Sequence, residues 1–246
     1  MQQNNNHWQE RTSLLLGDKK TEKLSNAHIF VVGLGGVGAY AAEMLCRAGV
    51  ERLTIADADV ISSSNRNRQL LALSSTAGMA KTDLMSQRLL DINPDIQLTN
   101  IQAYLQENDF RQLLNINKFD YVVDAIDTLA PKVNLIKFCI QNNIPLVSSM
   151  GAGAKLDPTK VEIQDISKSH HCPLAHMLRK RLHKLGIRKG FKVVFSSEAP
   201  ITEAVQLCDD EPNKKSIVGT ISYLPAIFGC YCASVAIRDL TASTCD

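Results

Sequence analysis

Residues 29–38 read IFVVGLGGVG, a run of four apolar residues that ends at a cluster of glycines. Residues 39–47 behind it place apolar side chains on one face, so the stretch predicts a strand, a tight turn and a helix. Gly33, Gly35 and Gly38 have the G-x-G-x-x-G spacing, in which the glycines make the turn, admit a phosphate and let helix and strand pack closely. In this context the spacing favours a nucleotide phosphate site over an ordinary structural turn.

Length and composition indicate a folded α/β protein. The chain has 246 residues, 45% of them hydrophobic, which suits one large domain or a domain with an appendage. The first ten residues are polar and rich in Asn and Gln, so no secretory signal is expected. Seven scattered cysteines favour a reducing compartment over a disulfide framework, and the predicted location is cytoplasmic.

Strands and helices alternate after the glycine turn. The apolar patterns predict strands over 53–57, 96–103, 119–127 and 144–149, and helices over 79–90, 108–114 and 130–142. This alternation predicts a doubly wound, mostly parallel Rossmann-like α/β sheet with a C-terminal α+β extension. The predicted organisation is an N-terminal arm over 1–26, a nucleotide-binding core over 27–153 and an extension over 154–246 whose last strand and helix pack on the core.

An uncharged run of 21 residues, 217–237, is long enough to cross a bilayer. Gly219, Pro225 and Gly229 argue against a membrane span. A buried strand, a break at Pro225 and a core helix over 226–240 account for the same letters. The buried interpretation is favoured over membrane association.

Carboxylates follow two of the predicted strands. Asp57 lies about 24 residues beyond Gly33, near the distance at which a second strand presents a carboxylate to ribose hydroxyls. Asp124 and Asp127 end a later strand, where α/β folds bind their ligands. Asp127 could hold Mg²⁺ through one carboxylate, with water and phosphate as the other ligands. Helix capping is the alternative for both aspartates, and for Asp124 it has equal weight.

Two basic residues lie close to the predicted phosphate site. Arg68 stands in the polar loop 58–70, and its guanidinium could pair bidentately with a polyphosphate; a solvated helix cap is the alternative. Lys81 opens the next helix, where a lysine is unfavourable for the helix dipole. We therefore expect a compensating anion beside Lys81.

Positive charge is concentrated in residues 168–192, which have eight Lys or Arg residues and no Asp or Glu. The basic residues are Lys168, Arg179, Lys180, Arg181, Lys184, Arg188, Lys189 and Lys192. Because the whole chain carries +2, this segment at +8 leaves −6 on the remainder. Such a patch suits a phosphate backbone, and a solvated helix face is the evenly weighted alternative.

Five spaced motifs resemble the adenylating domain of the ubiquitin-activating enzyme superfamily, which includes the bacterial activators of sulfur-carrier proteins. They are Gly33-x-Gly35-Gly36-x-Gly38, Asp57-x-Asp59, Asn65-x-Asn67-Arg68-Gln69, Lys81 and Asp124-x-x-Asp127. Farther along, the chain is similar to one branch, the tRNA threonylcarbamoyladenosine dehydratases. That similarity is carried by residues 151–153, 157–159, 173–175, 178–182 and 195–198.

The resemblance implies a ligase that uses ATP and Mg²⁺ to activate the threonyl carboxylate of a modified adenosine beside the anticodon of tRNA. Adenylation is followed by closure to an ester-like ring, with AMP and pyrophosphate leaving. The implied catalytic residues are Arg68, Lys81 and Asp127, with Asp127 also the metal ligand. The implied ATP-binding residues are Gly33, Gly35, Gly36, Gly38, Asp57, Asp59, Asn65, Arg68, Gln69, Lys81 and Asp127. The tRNA-binding residues assigned in the basic segment are Arg179, Lys180, Arg181 and Lys184.

The resemblance also implies a homodimer and allows sulfur-relay proteins as partners. The family often has an arginine just before a Leu-x-Gly in its arm; Leu14 stands there in this chain, and Arg11 is the candidate to act across a dimer instead. The paired C-x-x-C motifs of the sulfur-carrier activators are absent from the sequence, which predicts no zinc and favours the tRNA branch.

Three alternatives stay open from the sequence. They are adenylation of the C-terminus of a ubiquitin-like or sulfur-carrier protein, a non-catalytic ATP-binding adaptor in a sulfur-relay complex, and an NAD-dependent dehydrogenase.

Overall fold

The computed structural model describes residues 7–211 and 214–242 of the chain. Its strands are β1 His28–Val32, β2 Arg52–Ala56, β3 Gln97–Ile101, β4 Tyr121–Asp124, β5 Leu146–Ser149, β6 Val161–Asp165, β7 Lys192–Ser196, β8 Val205–Glu211 and β9 Lys214–Val218. Its α-helices are α1 Glu10–Leu16, α2 Asp18–Asn26, α3 Gly38–Arg47, α4 Lys81–Ile92, α5 Glu107–Ile116, α6 Leu129–Gln141, α7 Pro173–Lys184 and α8 Tyr223–Thr241.

A seven-stranded sheet in the order β3-β2-β1-β4-β5-β7-β6 forms the centre of the molecule. Neighbouring strands from β3 through β7 are parallel, and β6 at the edge is antiparallel to β7. Helices connect the parallel strands. The prediction of a doubly wound, mostly parallel α/β sheet is therefore confirmed.

The sheet is continuous across residue 153, where the sequence predicts the end of the core. β5 precedes that position and its parallel partner β7 follows it, with Val147 opposite Lys192. The predicted extension thus contributes β6 and β7 to the same sheet as the strands of the predicted core. The division into an arm, a core and an extension stays a prediction about function.

Two apolar layers cover the two faces of the sheet. One layer joins the sheet to α3, α4 and α8, and the other joins it to α5, α6 and α7. Because both faces are covered, β1 is buried at all five of its positions. Burial on both faces explains why β1 reads as a continuous apolar run instead of an alternating pattern.

The uncharged segment 217–237 divides between two elements. β8 and β9 pair only with each other among the described strands, and Ile217 on β9 is 53% exposed. The predicted buried strand is therefore wrong, because this hairpin lies outside the central sheet. The predicted core helix is present as α8, but it starts at Tyr223 and includes Pro225 in its first turn. The expected break is absent since proline lacks only an N–H that the first turn leaves unpaired.

No helix in the described part of the chain is long and apolar enough to cross a bilayer. α8 instead buries residues along its length against the sheet, Leu224, Phe228 and Val235 among them.

The carboxyl ends of the parallel strands meet at one edge of the sheet, which we call the carboxyl edge. Val32, Ala56 and Asp124 are the last residues of three neighbouring strands there. α3 and α6 begin at this edge, directly after β1 and β4. Doubly wound folds bind ligands at this edge, so the polar residues gathered there define the candidate site.

Candidate active site

The turn between β1 and α3 depends on two glycines. Gly33 has φ +89°, and a Cβ there would lie 2.7 Å from the carbonyl oxygen of Ala125, which follows β4. A Cβ on Gly38 would lie 1.7 Å from the carbonyl oxygen of Gly33. The turn packs directly against the backbone after β4 and against the start of α3, so no side chain fits at either position.

The two middle glycines of the turn have different surroundings. A Cβ on Gly35 would meet only the Nε2 atom of Gln69, at 3.7 Å, so its backbone faces open space. A Cβ on Gly36 would lie 2.9 Å from the Cβ of Pro225 and 3.3 Å from the carbonyl oxygen of Arg68. Gly35 therefore leaves its backbone accessible to a ligand, whereas Gly36 packs against the start of α8.

Asp57, which follows β2, braces the glycine turn. Its Oδ2 accepts a hydrogen bond from the Leu34 N–H at 2.6 Å, and its Oδ1 accepts one from the Asp59 N–H at 2.8 Å. Burial raises the pKa of Asp57, and the Lys81 ammonium opposes part of that rise. The carboxylate is thus fixed beside the turn at the mouth of the carboxyl edge.

Lys81 at the start of α4 reaches back to these carboxylates. Its Nζ lies 2.7 Å from Asp59 Oδ2 and 3.8 Å from Asp57 Oδ1. Lys81 is only 4% exposed, whereas the Asp59 side chain is 68% exposed. The anion expected beside Lys81 is therefore supplied by the chain itself, chiefly by Asp59.

The polar loop after β2 holds its residues through local hydrogen bonds. Asn65 Oδ1 accepts from the Ser62 N–H at 3.1 Å. The Nη1 of Arg68 donates to the Ser64 carbonyl at 3.1 Å and to Asn67 Oδ1 at 2.8 Å. Asn65 thus caps the loop, and Arg68 lies folded along it.

Gln69 at the end of this loop has an unpaired acceptor. Its Oε1 is buried and has no hydrogen-bond partner among the described residues. The same side-chain amide lies next to the open backbone of Gly35. An unpaired buried acceptor costs free energy, so a donor on a ligand would stabilise this position.

The two aspartates after β4 have opposite environments. Asp127 is exposed at the carboxyl edge, while Asp124 is fully buried and forms an ion pair with Lys132 at 2.9 Å. Thr128 is the N-cap residue of α6, so neither aspartate caps that helix. Residues 7–211 and 214–242 contain no group of three or more His, Cys, Asp or Glu side chains that could hold a metal ion.

Two buried lysines near this edge were missed by the sequence patterns. Lys132 shares α6 with a second lysine, Lys137, and no sequence pattern shows which of the two is buried. Lys155 donates to the carbonyls of His171, Ser196 and Glu198 at 2.5 to 2.9 Å, and burial lowers its pKa. Nothing in the sequence marks Lys155, because its partners are backbone atoms of distant segments.

The basic segment forms α7, whose N-terminus lies close to the carboxyl edge. A Cβ on Gly151, which follows β5, would lie 3.6 Å from the Sγ of Cys172, the N-cap of α7. The helix has 12 residues and then runs back along the sheet for roughly 18 Å, since each residue advances about 1.5 Å. Its basic C-terminal half is therefore remote from the glycine turn.

The four basic residues assigned to tRNA on α7 are not equivalent. Lys180, Arg181 and Lys184 are exposed. Arg179 is half-buried and turns toward the preceding loop, where its Nη1 donates to the Ser169 carbonyl at 2.7 Å and to the Ser169 hydroxyl. Three of the four side chains thus face solvent, and the fourth is engaged within the protein.

Comparison with known proteins finds relatives along nearly the whole chain. The model of the ThiF family matches residues 9–245. The tRNA threonylcarbamoyladenosine dehydratase of Bacillus subtilis is 39% identical over 241 residues, which cover 95% of this chain and 94% of that protein. The Escherichia coli protein of the same name is 35% identical over 255 residues, covering 96% and 95%.

A solved structure is similar over nearly the whole chain as well. The crystal structure of the E. coli tRNA N6-threonylcarbamoyladenosine dehydratase in complex with ATP has a TM-score of 0.85 and 35% sequence identity. The match covers 94% of this chain and 92% of that chain. The similarity therefore includes the central sheet and the elements on both sides of residue 153.

Proposed function

The chain belongs to the ThiF family, and from that premise we propose that it catalyses the ATP-dependent dehydration of threonylcarbamoyladenosine in tRNA. The observation that carries this proposal is the meeting of an open glycine backbone, a buried lysine and an exposed carboxylate at one edge of the sheet. These groups are Gly35, Lys81 and Asp127. Relatives named for this activity match over more than nine-tenths of their length, which supports the same substrate for this chain.

The chemistry consists of two balanced steps. A threonyl carboxylate oxygen bonds to the α-phosphorus of ATP, the bond from that phosphorus to the bridging oxygen breaks, and pyrophosphate leaves. An atom of the same modified base then attacks the activated carbonyl and loses its proton to solvent, the bond from the carbonyl carbon to the bridging oxygen breaks, and AMP leaves with the former carboxylate oxygen. The nucleoside thereby loses one water overall, and the intramolecular ring closure depends mainly on positioning.

Lys81 and Arg68 would offset the charge of the phosphates. A phosphate oxygen would replace Asp59 beside Lys81, and the Asp59 side chain, which is 68% exposed, would rotate away toward solvent. Arg68 uses one of its nitrogens for the loop contacts, so the rest of its guanidinium is available for a phosphate. Fixed cations at these positions stabilise the leaving pyrophosphate more than a flexible surface charge does.

Asp127 fits the binding of Mg²⁺ together with ATP. Mg²⁺ is usually bound through one or two carboxylates, with water and substrate phosphates completing its shell, and Asp127 presents one exposed carboxylate at the carboxyl edge. When bound, the ion would neutralise phosphate charge. The described residues contribute to this site by holding the Asp127 carboxylate at the crevice.

Asp57 and Gln69 would bind the nucleoside. Each Asp57 oxygen accepts one backbone N–H and can accept a second hydrogen bond from a ribose hydroxyl. The buried Oε1 of Gln69 would gain a donor at the same time. Asn65 would support this region indirectly by holding the loop.

The exposed face of α7 would bind the phosphate backbone of tRNA. Lys180, Arg181 and Lys184 carry charge that is accessible to a polyanion. They lie in the C-terminal half of α7, about two to three helical turns from the end of the helix at the carboxyl edge, which suits a macromolecule that extends beyond the modified base.

Assembly with a second copy is part of the proposal. Leu14 and Leu15 on α1 are 80% and 83% exposed, and Arg11 lies exposed on the same helix. Two adjacent leucines this accessible would gain free energy if a partner buried them. We propose a cytoplasmic homodimer in which α1 contributes to the interface and Arg11 to the partner's site, with sulfur-relay proteins as further partners.

The direct test is a nucleoside assay. The protein is incubated with ATP, Mg²⁺ and tRNA bearing threonylcarbamoyladenosine, and the nucleosides are examined by mass spectrometry under mild conditions. We expect the modified nucleoside to lose the mass of one water, with AMP formed in equal amount.

Reactions without ATP and with unmodified tRNA are the controls. No loss of water in the complete reaction would reject the proposal. Pyrophosphate exchange that needs a sulfur-carrier protein and ignores tRNA would assign the chain to the other branch of the superfamily instead, and ATP binding without AMP formation would indicate a non-catalytic adaptor.

A further inference from the structure

A fully buried ion pair lies directly behind the exposed Asp127. Asp124 at the end of β4 and Lys132 on α6 are each 0% exposed, with Lys132 Nζ 2.9 Å from Asp124 Oδ2. The hydroxyl of Ser148 on β5 donates to the same carboxylate oxygen at 2.6 Å. Lys132 cannot touch a nucleotide at this depth, so any influence on the reaction must pass through neighbouring atoms.

Both partners of the pair grip the residue just before Asp127. The Ile126 N–H donates to Asp124 Oδ1 at 3.1 Å. The Ile126 carbonyl accepts from Lys132 Nζ at 2.8 Å. The two polar backbone groups of Ile126 are thus tied to the two side chains of one ion pair.

The other side of this segment is held by the glycine turn. The Ala125 N–H donates to the carbonyl of Val32 at 2.9 Å, and the Ala125 carbonyl occupies the space that a side chain on Gly33 would need. Residues 125 and 126 therefore lie clamped between the turn and the ion pair. Asp127 is the first exposed residue after β4.

Stability alone is a poor account of the pair. Burying two charges costs several kcal/mol of desolvation, and well-packed apolar residues often stabilise such a position as well or better. The hydrogen bonds to Ile126 give the pair a second consequence that an apolar pair would not have, because they fix the direction of the chain into Asp127.

We propose that Lys132 is a positioning residue that, together with Asp124, aims the Asp127 carboxylate at the metal-bound phosphates of ATP. This inference rests on the proposed function for the identity of the nucleotide. Lys132 would thus control the position of the Asp127 carboxylate without contacting it.

The test replaces the pair with uncharged residues, Asp124→Asn with Lys132→Met. Removing both charges avoids an unpaired buried carboxylate, which would cost far more stability than the pair itself. The matched control is Glu107→Gln with Lys137→Met, which removes the partly exposed ion pair between α5 and α6, at 3.1 Å. Folding of each variant is checked by circular dichroism and thermal unfolding.

The readout is the affinity for ATP, measured by calorimetry with Mg²⁺ and again with EDTA. Wild-type protein and the control should bind ATP more tightly with Mg²⁺. We define the Mg²⁺-dependent gain as the Kd for ATP in EDTA divided by the Kd with Mg²⁺. In the Asp124→Asn, Lys132→Met variant we expect this gain to fall about fivefold or more, with the Kd in EDTA unchanged within about twofold. A folded variant that keeps the full gain, or a wild-type protein without any gain, would overturn the proposal.

A double-mutant cycle separates positioning from a general defect. In a protein that already has Asp127→Asn, replacing the pair should change the Mg²⁺-dependent gain by less than about twofold, since the carboxylate to be positioned is gone. Independent, additive losses would contradict the proposal. If the pair variant does not fold, Ser148→Ala, which removes one bond to Asp124, should lower the gain in the same direction, and an unchanged gain would be decisive against it.

These outcomes are separable from those of the proposed function, because ATP binding is measured without tRNA. A wild-type protein that fails to dehydrate tRNA, yet loses its Mg²⁺-dependent gain in the pair variant, would reject the substrate and keep the role of Lys132.

Discussion

Charged side chains are held differently at the carboxyl edge and along α7. At the edge, Lys81 and Lys132 are almost completely buried, and each lies within 3 Å of a carboxylate. On α7, Lys180 and Arg181 extend into solvent. A buried charge acts at one fixed position on forming and breaking bonds, whereas an exposed charge is screened by salt and contributes mainly to association. Substitutions at the carboxyl edge should therefore lower turnover, whereas substitutions on α7 should lower the affinity for tRNA.

The change Lys81→Ala should separate the two regions most strongly. We expect turnover to fall by about 100- to 1000-fold, because the ammonium that is removed would stabilise charge on the transferring phosphates. The Kd for modified tRNA should stay within about twofold, since Lys81 is too buried to reach a phosphate backbone. Turnover is measured as AMP release at saturating tRNA, and affinity by filter binding.

Lys20→Ala on the exposed side of α2 is the control for Lys81→Ala, with both values expected to match the wild-type protein. Equal losses of turnover and affinity in Lys81→Ala would remove the proposed distinction between the two regions.

Neutralising the exposed face of α7 should have the opposite effect. The triple change Lys180→Ala, Arg181→Ala and Lys184→Ala should weaken tRNA binding about tenfold at moderate salt. The slope of log Kd against log salt concentration should decrease by about one for each side chain that no longer pairs with a tRNA phosphate. Turnover at saturating tRNA should stay close to that of the wild-type protein.

A second triple variant, Lys19→Ala, Lys20→Ala and Lys23→Ala on α2, makes the same change in net charge at other exposed positions. If both triple variants weaken tRNA binding equally, the effect belongs to overall charge and α7 is an ordinary solvated helix.

Arg179→Ala gives the smallest and most specific contrast. We expect a loss of about 1–2 kcal/mol in the free energy of unfolding, because Ser169 would lose its guanidinium partner. The Kd for tRNA should change by less than about twofold, whereas Lys180→Ala should affect binding without affecting stability. Thermal unfolding and filter binding of the two single variants test this crossed pattern, which identical behaviour of the two would refute.

The fold was predictable where local rules decide it. The spacing of Gly33 and Gly38 follows from the steric limits of a strand, a tight turn and a helix in direct contact. These limits act on residues that are close in sequence, so the sequence shows them directly. The sheet was predictable for a similar reason, because a strand buried on both faces must be apolar throughout. Asp127 was found because a carboxylate at the end of such a strand lies at the ligand-binding edge.

The partners of charged residues were not predictable in the same way. Lys132 and Arg179 stand on helices like any surface residue, and their inward direction depends on Asp124 and Ser169, which belong to other segments. Periodicity still gave a hint for Arg179, since it follows Leu178 on the border of the buried face of α7. Composition alone could not tell that Ile217 and Val218 on β9 would stay exposed, because apolar residues suit a buried strand equally well.

The packing of Pro225 against Gly36 also has a consequence for the order in which the chain folds during synthesis. The turn that would hold the phosphates is made early in synthesis, but the residue that packs on its middle glycine is added almost two hundred residues later. During translation the turn therefore stays open on that side until α8 has left the ribosome and docked beside α3. In a nascent chain the glycine turn is therefore covered on that side only once α8 has folded.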